Sequence, residues 1–365
     1  MENVFIIAAD GTGGHFYPGF ALGKKLIERG HDVIFVVKKG TPAAKFLDGL
    51  EMHYQVADVV GMPRGGNILQ WLDFSFKMLA AILQMRRLIK DAKPVVCMGM
   101  GGYISFPLIY AARKLGVKTA VHESNAIIGR ANRLSAKYAD VFMLGLNAQN
   151  APQNAVLTGT PVREEFRLKE SIEEQYYWNM ATDFAINILI FGGSLGARKL
   201  NFAAAKMAQE LLSKTNRIHF LHVAGQRDYK EIKAIYKDVP NVEVIEYAQE
   251  IYSLMKAAQL VIARAGASSL AEIMSLKKPS ILVPYPYAAD NHQYYNAKIF
   301  ADKGCALLLE ESDNLAQDLS ALIKKILATP TAIKTMENNF TASGLPDPLK
   351  AAERAARILE ELAGK

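Results

Sequence analysis

Cysteine is scarce in this sequence. Its 365 residues include two cysteines, Cys97 and Cys305. Neither belongs to a Cys-x-x-Cys pair, so a zinc site or a disulfide framework built on such pairs is excluded. Cys97 lies in an apolar run and Cys305 directly follows Gly304. We therefore expect two buried thiols in a protein of a reducing compartment.

Long apolar runs are absent as well. No such run reaches the roughly 18–20 residues that a membrane-spanning helix needs. The start, Met1-Glu2-Asn3, lacks the basic segment, apolar core and cleavage site of a signal peptide. The composition, 50% hydrophobic and 22% charged, is that of globular domains, and the length suggests two of them. The sequence thus predicts a soluble, cytoplasmic protein.

The charge is distributed unevenly along the chain. The formal net charge is +7, and residues 1–160 contain 18 Lys and Arg against 11 Asp and Glu. Residues 161–365 contain 25 of each sign. A basic first half suggests an anionic partner, and nucleic acid, anionic lipid and a phosphorylated substrate all remain open at this point.

Short apolar runs alternate with helix-length segments throughout the chain. The runs are continuous, which is typical of strands covered on both faces. Alternating β and α elements predict doubly wound parallel sheets, and the pattern restarts after Pro161. The predicted strands are Asn3–Ala9, Val33–Val37, Val95–Met98, Lys118–Val121, Asp140–Leu144, Val156–Thr158, Ile186–Phe191, Ile218–Val223, Val242–Ile245, Leu260–Ala263 and Ser280–Val283. The predicted helices include Gly19–Arg29, Pro107–Leu115, Ala197–Ser213 and Pro348–Leu362.

The pattern divides the chain into two α/β domains with Rossmann-like sheets, residues 1–160 and 161–347, with a linker over residues 160–169. The last segment, residues 348–365, is a long amphipathic helix rich in Ala, Arg and Glu. The sequence leaves open whether this helix packs back on the first domain.

Both predicted domains begin with a strand that ends in a glycine turn. The turns are Asp10-Gly11-Thr12-Gly13-Gly14-His15 and Gly192-Gly193-Ser194-Leu195-Gly196. Such a turn before a helix presents backbone N–H groups and the positive end of the helix dipole to a phosphate. A tight packing turn has the same pattern, but two turns at equivalent places favour a ligand at the carboxyl ends of the strands.

A dinucleotide oxidoreductase is the obvious alternative for the first turn. Its Gly-x-Gly-x-x-Gly motif requires a third glycine, where this sequence has Phe16. Its second strand ends in an acidic residue that binds the ribose, whereas here that strand ends in Lys38-Lys39. Two defining features are missing, and we set this alternative aside.

Five further segments make the pattern specific. Together with the two turns they resemble, in order and spacing, the MurG family of glycosyltransferases over about residues 4 to 350. The segments are Gly99-Met100-Gly101-Gly102-Tyr103-Ile104-Ser105, His122-Glu123-Ser124-Asn125, Gly159-Thr160-Pro161-Val162-Arg163, Arg264-Ala265-Gly266-Ala267-Ser268-Ser269-Leu270-Ala271-Glu272 and Asp290-Asn291-His292-Gln293.

The resemblance implies a GT-B architecture, in which two Rossmann-like domains face a cleft. The N-terminal domain would bind the acceptor and the C-terminal domain the donor. The implied reaction moves N-acetylglucosamine from UDP-N-acetylglucosamine to the C4 hydroxyl of the muramyl sugar of lipid I, with inversion, and forms lipid II for peptidoglycan. It implies no cofactor and no metal in the chemical step, and the sequence has no Asp-x-Asp pair. N–H groups, a helix dipole and Arg would stabilise the leaving UDP.

The resemblance also assigns donor-binding roles. Glu272 would accept hydrogen bonds from the ribose hydroxyls, and Gln293 would bind the sugar hydroxyls. Ser194 and Arg163 would contact phosphate, Asn125 the sugar, and the backbone of Ala248 the uracil edge. The remaining donor contacts would come from a helix start under the diphosphate, whose alternative is a simple capped helix. Its residues are Ala267, Ser268, Ser269, Leu270 and Ala271.

On the acceptor side, catalysis needs a base for the attacking hydroxyl. His15 is the first candidate, since an unperturbed imidazole titrates near pH 6.5, and Glu123 is the second. The alternatives are that His15 only begins a helix and that Glu123 pairs with a cation. Thr12, Gly13 and Gly14 would line the acceptor site, and Tyr103 would position the acceptor diphosphate or simply pack. The family usually has Gly at the first position of the turn, where this sequence has Asp10; its carboxylate puts the phosphate contacts of this turn in question.

The segment Ile68–Lys90 is apolar nearly all round, with Arg86, Arg87 and Lys90 at one end. It is either a buried helix or an apolar patch by which the acceptor domain binds an anionic membrane surface. The second alternative would place the protein peripherally on the cytoplasmic face of the cell membrane. The basic residues lack aromatic interleaving or a nucleic-acid-binding motif, so nucleic acid is not expected as a partner.

Three other functions remain open for this sequence. One is another inverting GT-B transferase with a different lipid or small acceptor. Another is a UDP-sugar 2-epimerase of the same architecture, which would need acidic and basic groups beside C2 of the sugar. The last is a non-catalytic nucleotide-binding module.

Overall fold

The computed structural model describes residues 3–9, 13–63, 65–167, 186–193, 196–248 and 251–364. The chain divides into two compact units, one of Met1–Arg163 with Pro346–Lys365 and one of Glu164–Leu345. The chain therefore leaves the first unit after Arg163 and returns to it at Pro346. Residues 168 and 169 of the predicted linker lie outside the described residues. Cys97 and Cys305 are both buried, as expected.

In the described part of the first unit, seven parallel strands form one sheet in the order β3-β2-β1-β4-β5-β6-β7. The order reverses between β1 and β4, and ligands of such sheets bind at this place, beyond the carboxyl ends of the strands. The strands are β1 Val4–Ala8, β2 Asp32–Lys38, β3 Tyr54–Ala57, β4 Val96–Gly99, β5 Lys118–Glu123, β6 Val141–Leu144 and β7 Ala155–Leu157. The helices of this unit are α1 Gly13–Glu28, α2 Pro42–Asp48, α3 Ile68–Ala92, α4 Ser105–Lys114, α5 Arg130–Ala136 and the final α13 Ala351–Leu362.

Helix α1 lies unusually close to the sheet. A Cβ atom on Gly19 would come within 2.9 Å of the Ala9 Cβ, and one on Gly23 within 2.3 Å of the Phe35 Cζ. The helix begins at Gly13 and contains Pro18, whereas the sequence pattern predicted a start at Gly19. Pro is disfavoured inside helices, and here the helix continues through it because the packing of its glycines and apolar side chains against the sheet outweighs that preference.

Helix α13 completes the core of the first unit. Ala355, Ala356 and Leu359 are fully buried in the same cluster as Phe5 and Leu22. Its polar face is tied down as well: Arg29 donates to Glu353 and Glu360, and His31 is 2.9 Å from the Glu360 carboxylate. The side-chain hydrogen bond from Arg29, together with the hydrogen bond from His31 and the charge of Arg29, outweighs burial and lowers the pKa of Glu360 to about 2.

In the described part of the second unit, six parallel strands form a sheet in the order β10-β9-β8-β11-β12-β13. Most of its core lies between this sheet and the helices α6 and α11. The strands are β8 Ile186–Phe191, β9 Ile218–Val223, β10 Val242–Ile245, β11 Leu260–Ala263, β12 Ser280–Leu282 and β13 Ala306–Leu308. The helices are α6 Arg198–Leu212, α7 Tyr229–Ile235, α8 Ile251–Ala257, α9 Ala267–Ser275, α10 His292–Asp302, α11 Leu315–Ala328 and α12 Ala332–Ala342.

The predicted fold class, α/β units with doubly wound parallel sheets, is confirmed. The sequence pattern missed two strands, β3 and β13, which lie at sheet edges. Both are short, and β3 combines Tyr and Gln with two apolar residues while β13 reads Ala-Leu-Leu. Such edge strands lack the continuous Val- and Ile-rich character on which the other strands were predicted.

The close approach of α1 yields a stability prediction. We expect Gly23→Ala to lower the free energy of unfolding by about 1–3 kcal/mol, because the new methyl group must displace the buried Phe35 ring. Thermal unfolding followed by circular dichroism measures the effect. Gly49→Ala is the control, since a Cβ there meets only atoms 3.6 Å away. Equal melting temperatures for the two variants would contradict the close packing.

Candidate active site

The start of α1 lies against the turn after β4, at the point where the strand order reverses. Gly101 has φ +108°, and a Cβ there would lie 2.7 Å from Cδ2 and 2.8 Å from Nε2 of His15. The Ser105 hydroxyl holds the second turn, accepting from the Gly101 amide at 3.1 Å and donating to the Gly101 carbonyl at 2.7 Å. The Cδ2–Nε2 side of the His15 imidazole therefore lies close to the Gly101 backbone, and the residue remains partly exposed.

A second histidine lies at the same edge of the sheet. His122 is fully buried and its Nε2 is 3.0 Å from the Gly159 carbonyl. Burial lowers the pKa of His122, partly opposed by the Gly159 hydrogen bond and by Glu123, and a charge on His15 lowers it further. Neutral His122 thus donates from Nε2 and accepts at Nδ1 from the Ser124 hydroxyl, 3.3 Å away. It is a structural member of the site, electrostatically coupled to His15.

Glu123, the second candidate base, is buried and bound on both carboxylate oxygens. Oε1 accepts from the backbone N–H and the side-chain amide of Asn125 at 2.9 and 2.8 Å. Oε2 accepts from the Gly129 N–H and the Asn132 side chain, both at 2.9 Å. A proton acceptor in catalysis would have to give up these bonds. The geometry therefore favours a role in which Glu123 anchors the loop after β5 and aims Asn125.

The other acceptor-side residues lie on nearby elements. Gly13 and Gly14 begin α1, and a Cβ on Gly14 would meet no heavy atom within 4 Å, so its backbone faces open space. Tyr103 packs edge-on against Phe74 of α3, with ring centroids 6.1 Å apart. The Arg163 guanidinium lies 4.7 Å from the centre of the Tyr17 ring on α1. Thr12 and Asp10 lie outside the described residues.

In the second unit, α9 begins directly beyond the end of β11. Gly266 is its N-cap, and no side chain caps the helix. The first amides of a helix have no acceptor within it and face an anion favourably, which suits Ala267, Ser268 and Ser269. Glu272 follows on the same helix and is partly exposed.

Leu270 and Ala271 differ from the rest of this predicted group. Their side chains are buried at 1% and 3% exposure, and the Leu270 amide donates to the Gly266 carbonyl at 2.9 Å. The side chains of these two residues thus pack in the core and hold the helix start in place.

A buried arginine that the sequence reasoning passed over joins three strand ends of the second unit. Arg264 donates to the carbonyls of Val283 and Pro284 at 3.2 and 3.1 Å and forms an ion pair with Glu311. Its guanidinium also lies 5.5 Å from the centre of the Tyr285 ring. The ends of β11, β12 and β13 are joined in this way. A charged residue directly after a continuously apolar strand was the signal for it.

Two hydrogen bonds extend this arrangement to α10. The Asn296 amide donates to the Ala265 carbonyl at 3.1 Å. The predicted sugar ligand Gln293 accepts at Oε1 from the Tyr285 N–H at 3.0 Å, so its side-chain NH₂ group is the part oriented for a ligand. Ala248 follows the end of β10, whereas Ser194 lies outside the described residues.

Within the residues that the structure describes, no three His, Cys, Asp or Glu side chains are grouped so that they could hold a metal ion. No helix among those residues is long and apolar enough to cross a membrane.

Two parallel sheets with a glycine-capped helix start at a carboxyl edge fit a nucleotide-sugar enzyme, and sequence models identify it as a glycosyltransferase. Residues 5–143 match the glycosyltransferase family 28 N-terminal domain and residues 187–354 match its C-terminal domain. The chain is 43% identical to a protein of Elusimicrobium minutum, over 98% of this chain and 99% of that one. The relative is named UDP-N-acetylglucosamine--N-acetylmuramyl-(pentapeptide) pyrophosphoryl-undecaprenol N-acetylglucosamine transferase.

Solved structures give the same result. The crystal structure of Acinetobacter baumannii MurG is 26% identical, with a TM-score of 0.77 and coverage of 99% of this chain and 100% of that one. A UDP-N-acetylglucosamine 2-epimerase from Neisseria meningitidis, 14% identical with a TM-score of 0.67 and coverage of 98% and 100%, shares the fold alone. The chain belongs to glycosyltransferase family 28 and, within it, to the MurG family.

The hydrogen bonds of Glu123 distinguish an anchor from a base. We expect Glu123→Gln to lower the melting temperature by at least about 3 °C, because an amide in place of Oε2 would turn N–H groups towards the donors Gly129 and Asn132. Differential scanning calorimetry measures it. A variant with the wild-type melting temperature but no activity would instead indicate a catalytic proton acceptor.

Proposed function

We propose that this chain transfers N-acetylglucosamine from UDP-N-acetylglucosamine to the C4 hydroxyl of the muramyl sugar of lipid I, which is undecaprenyl-pyrophosphoryl-N-acetylmuramyl-pentapeptide. The product is lipid II of peptidoglycan synthesis, and the anomeric centre is inverted. One observation carries the proposal: the identity of 43% to a transferase of this name extends over 98% of the chain. The likeness to this transferase thus extends over both units and does not rest on one motif.

The second unit offers the chemistry that a UDP-sugar requires. The start of α9 would receive the diphosphate on its first amides, with the Ser268 and Ser269 hydroxyls beside them. Glu272 would bind the ribose diol, and Gln293, oriented by the Tyr285 amide, would bind sugar hydroxyls. Ser194 and Arg163 remain proposed phosphate contacts, as do Asn125 for the sugar and Ala248 for uracil.

The first unit offers a base for the acceptor. As the acceptor oxygen attacks C1 of the donor sugar, its proton passes to the base and the bond to UDP breaks. We assign the base to His15, because its imidazole is partly exposed at the place where strand order reverses, whereas the Glu123 oxygens are already occupied. Tyr103 and the backbone of Gly13 and Gly14 would line the acceptor site.

An assay of label transfer from the donor to the acceptor tests the proposed function. The chain is incubated with labelled UDP-N-acetylglucosamine, with and without a lipid I analogue. Label in the lipid product only when the acceptor is present supports the proposal. Epimerised UDP-sugar formed without acceptor would identify a 2-epimerase, and binding without any turnover would identify a nucleotide-binding module.

Two variants separate catalysis from donor binding. We expect His15→Ala to lower kcat by about 10²–10⁴-fold with little change in donor KM, which is the usual contribution of a general base. We expect Glu272→Ala to raise donor KM instead, because the ribose hydroxyls lose their acceptor. Steady-state kinetics measure both. Near-normal turnover for His15→Ala would remove it as the base, and an unchanged donor KM for Glu272→Ala would remove its ribose role.

Helix α3 carries the surface for a lipid-linked acceptor. Its buried side chains are Ala81, Met85 and Ile89, so the alternative of a wholly buried helix does not apply. Large apolar side chains at intervals of three and four residues form an exposed stripe on this helix. These residues are Leu69, Leu72, Phe76, Leu79 and Leu83, exposed by 50–74%.

The same spacing continues from Leu83 into Arg86, Arg87 and Lys90, which are exposed. An apolar stripe that runs into basic residues is the pattern of a helix lying in the interface of an anionic bilayer. We propose that the chain binds the cytoplasmic face of the cell membrane through this stripe. Tyr103, packed against Phe74 of α3, would connect this surface with the acceptor site.

Vesicle binding checks this surface. Replacing both Leu72 and Phe76 with serine should weaken binding to phosphatidylglycerol vesicles at least tenfold, since each side chain buried in the membrane interface contributes about 1.5–3 kcal/mol. Co-sedimentation measures it, and transfer to a water-soluble acceptor analogue should be unaffected. Exposed residues of the second unit, such as Tyr247, provide the control substitution. Unchanged vesicle binding by the double variant would refute the surface.

A further inference from the structure

A chain of buried hydrogen bonds lies beside the glycine turn of the second unit. Its centre is Asn201 on α6, which is fully buried. The Asn201 side-chain NH₂ group donates to the Ala224 carbonyl at 2.7 Å and to the Asp228 carboxylate at 2.8 Å. Its Oδ1 lies 3.1 Å from Nε2 of His222. Every polar atom of this amide therefore has a partner.

The donors and acceptors of this chain run in one direction. Asn201 Oδ1 can only accept, so Nε2 of His222 carries the proton. His222 is buried, burial lowers its pKa to about 3, and the ring stays neutral. Its Nδ1 then accepts from the Tyr236 hydroxyl, 3.2 Å away. A flipped amide at Asn201 would place its NH₂ group against the Nε2 proton of His222 and its oxygen against two acceptors, so one orientation is enforced.

The far end of the chain is held by an ion pair. The Asp228 side chain is 4% exposed and accepts from Arg198 Nη1 at 2.9 Å. Arg198 also donates through both Nη atoms to Glu231, at 2.9 Å each. Arg198 and Asn201 lie on α6 three residues apart, so one helix contacts both ends of Asp228. The loop after β9, residues 224–228, is thereby fastened to the first turns of α6.

This loop touches the glycine turn. Gly196 has φ +76°, and a Cβ there would lie 3.0 Å from the Ala224 carbonyl oxygen and 3.8 Å from Nδ2 of Asn201. The Gly196 amide donates to the Gly193 carbonyl at 3.0 Å, which closes the turn. Gly196 thus packs directly against the Ala224 carbonyl, the group to which Asn201 donates.

We propose that Asn201 is a positioning residue for the nucleotide-sugar donor: by holding the Ala224 carbonyl against Gly196, it sets the position of Gly196 and of the start of α6 beside the donor diphosphate. This inference rests on the proposed function of the second unit, which is to bind the donor. Asn201 itself is buried and does not touch the donor. Its effect passes through backbone, so removing it changes donor affinity without removing a ligand.

The first test is Asn201→Ala, with Leu200→Ala as its matched control. Leu200 is the neighbouring residue on α6 and is also fully buried, so its loss lowers stability without touching the polar chain. We expect Asn201→Ala to raise the Kd of UDP and the KM of UDP-N-acetylglucosamine about tenfold, the effect of one hydrogen bond to a charged group. Acceptor KM should stay within twofold of wild type, and Leu200→Ala should keep wild-type donor constants.

Two charge-changing substitutions separate the two hydrogen bonds that the Asn201 NH₂ group donates, one to the Ala224 carbonyl and one to Asp228. Asn201→Asp turns an oxygen towards the Ala224 carbonyl and Asp228, so both stability and donor binding should fall. Adding Asp228→Asn restores a donor between positions 201 and 228 while Arg198 keeps its acceptor. We expect the double variant to recover most of the melting temperature and yet retain the raised donor KM, because the bond to the Ala224 carbonyl is still missing.

These experiments distinguish failure of the inference about Asn201 from failure of the proposed function. Wild-type protein that binds no UDP, by isothermal titration calorimetry, would refute the proposed donor binding itself. Wild-type protein that binds UDP while Asn201→Ala binds it equally well would overturn the inference alone. An equal rise in donor KM for Leu200→Ala and Asn201→Ala at equal melting temperatures would show a general loss of stability and overturn it as well.

Discussion

The close approach of α1 to its sheet is the constraint on which the place of His15 depends. Gly19 and Gly23 bring the helix backbone nearer to β1 and β2 than any side chain would permit. The Cβ that Gly19 lacks would also meet Met100, the residue between β4 and Gly101. The start of α1 is thereby brought against the turn after β4, and His15 comes to rest on Gly101. The place of the proposed base follows from glycine packing one to two helical turns away.

Buried charged groups then hold the loops at the carboxyl edges of both sheets. Glu123 collects four donors in the first unit, and Arg264 with Glu311 joins three strand ends in the second. An unpaired charge in such a place would be costly, so each group enforces the geometry of the residues around it. Asp228, between Asn201 and Arg198, acts in the same way. These charged groups thus act as supports for the neighbouring backbone.

The sequence predicted most of the fold because central parallel strands are continuous apolar runs, and such runs are hard to misread. It failed at β3 and β13, where one side of the strand has no neighbour and the composition is mixed. For Ile68–Lys90 the pattern was undecided, since a helix that is apolar all round has no marked face. The neighbours of α3 settled it: its contacts with α4 occupy one side and leave the stripe from Leu69 to Leu83 exposed.

For the site, the sequence pointed to segments of the chain but not to the partners of individual side chains. The motifs pointed to segments that follow strand ends and to a helix start, because glycine and small residues at strand ends carry a local signal. The partners of a side chain carry none, so the sequence offered Glu123 as a base without its four donors and passed over Arg264 and Asn201. Those roles depend on residues up to 47 positions away in the chain, as between Arg264 and Glu311.

The first unit is built from both ends of the chain, with the second unit inserted between them. During synthesis, the sheet from β1 to β7 leaves the ribosome long before α13 exists. The apolar surface that Ala355, Ala356 and Leu359 later cover therefore stays exposed while about 180 further residues are made and fold as a unit of their own. Only the second unit is contiguous, so it can be complete before the first. A chain cut short near its end would retain the whole second unit and lack the closing helix of the first.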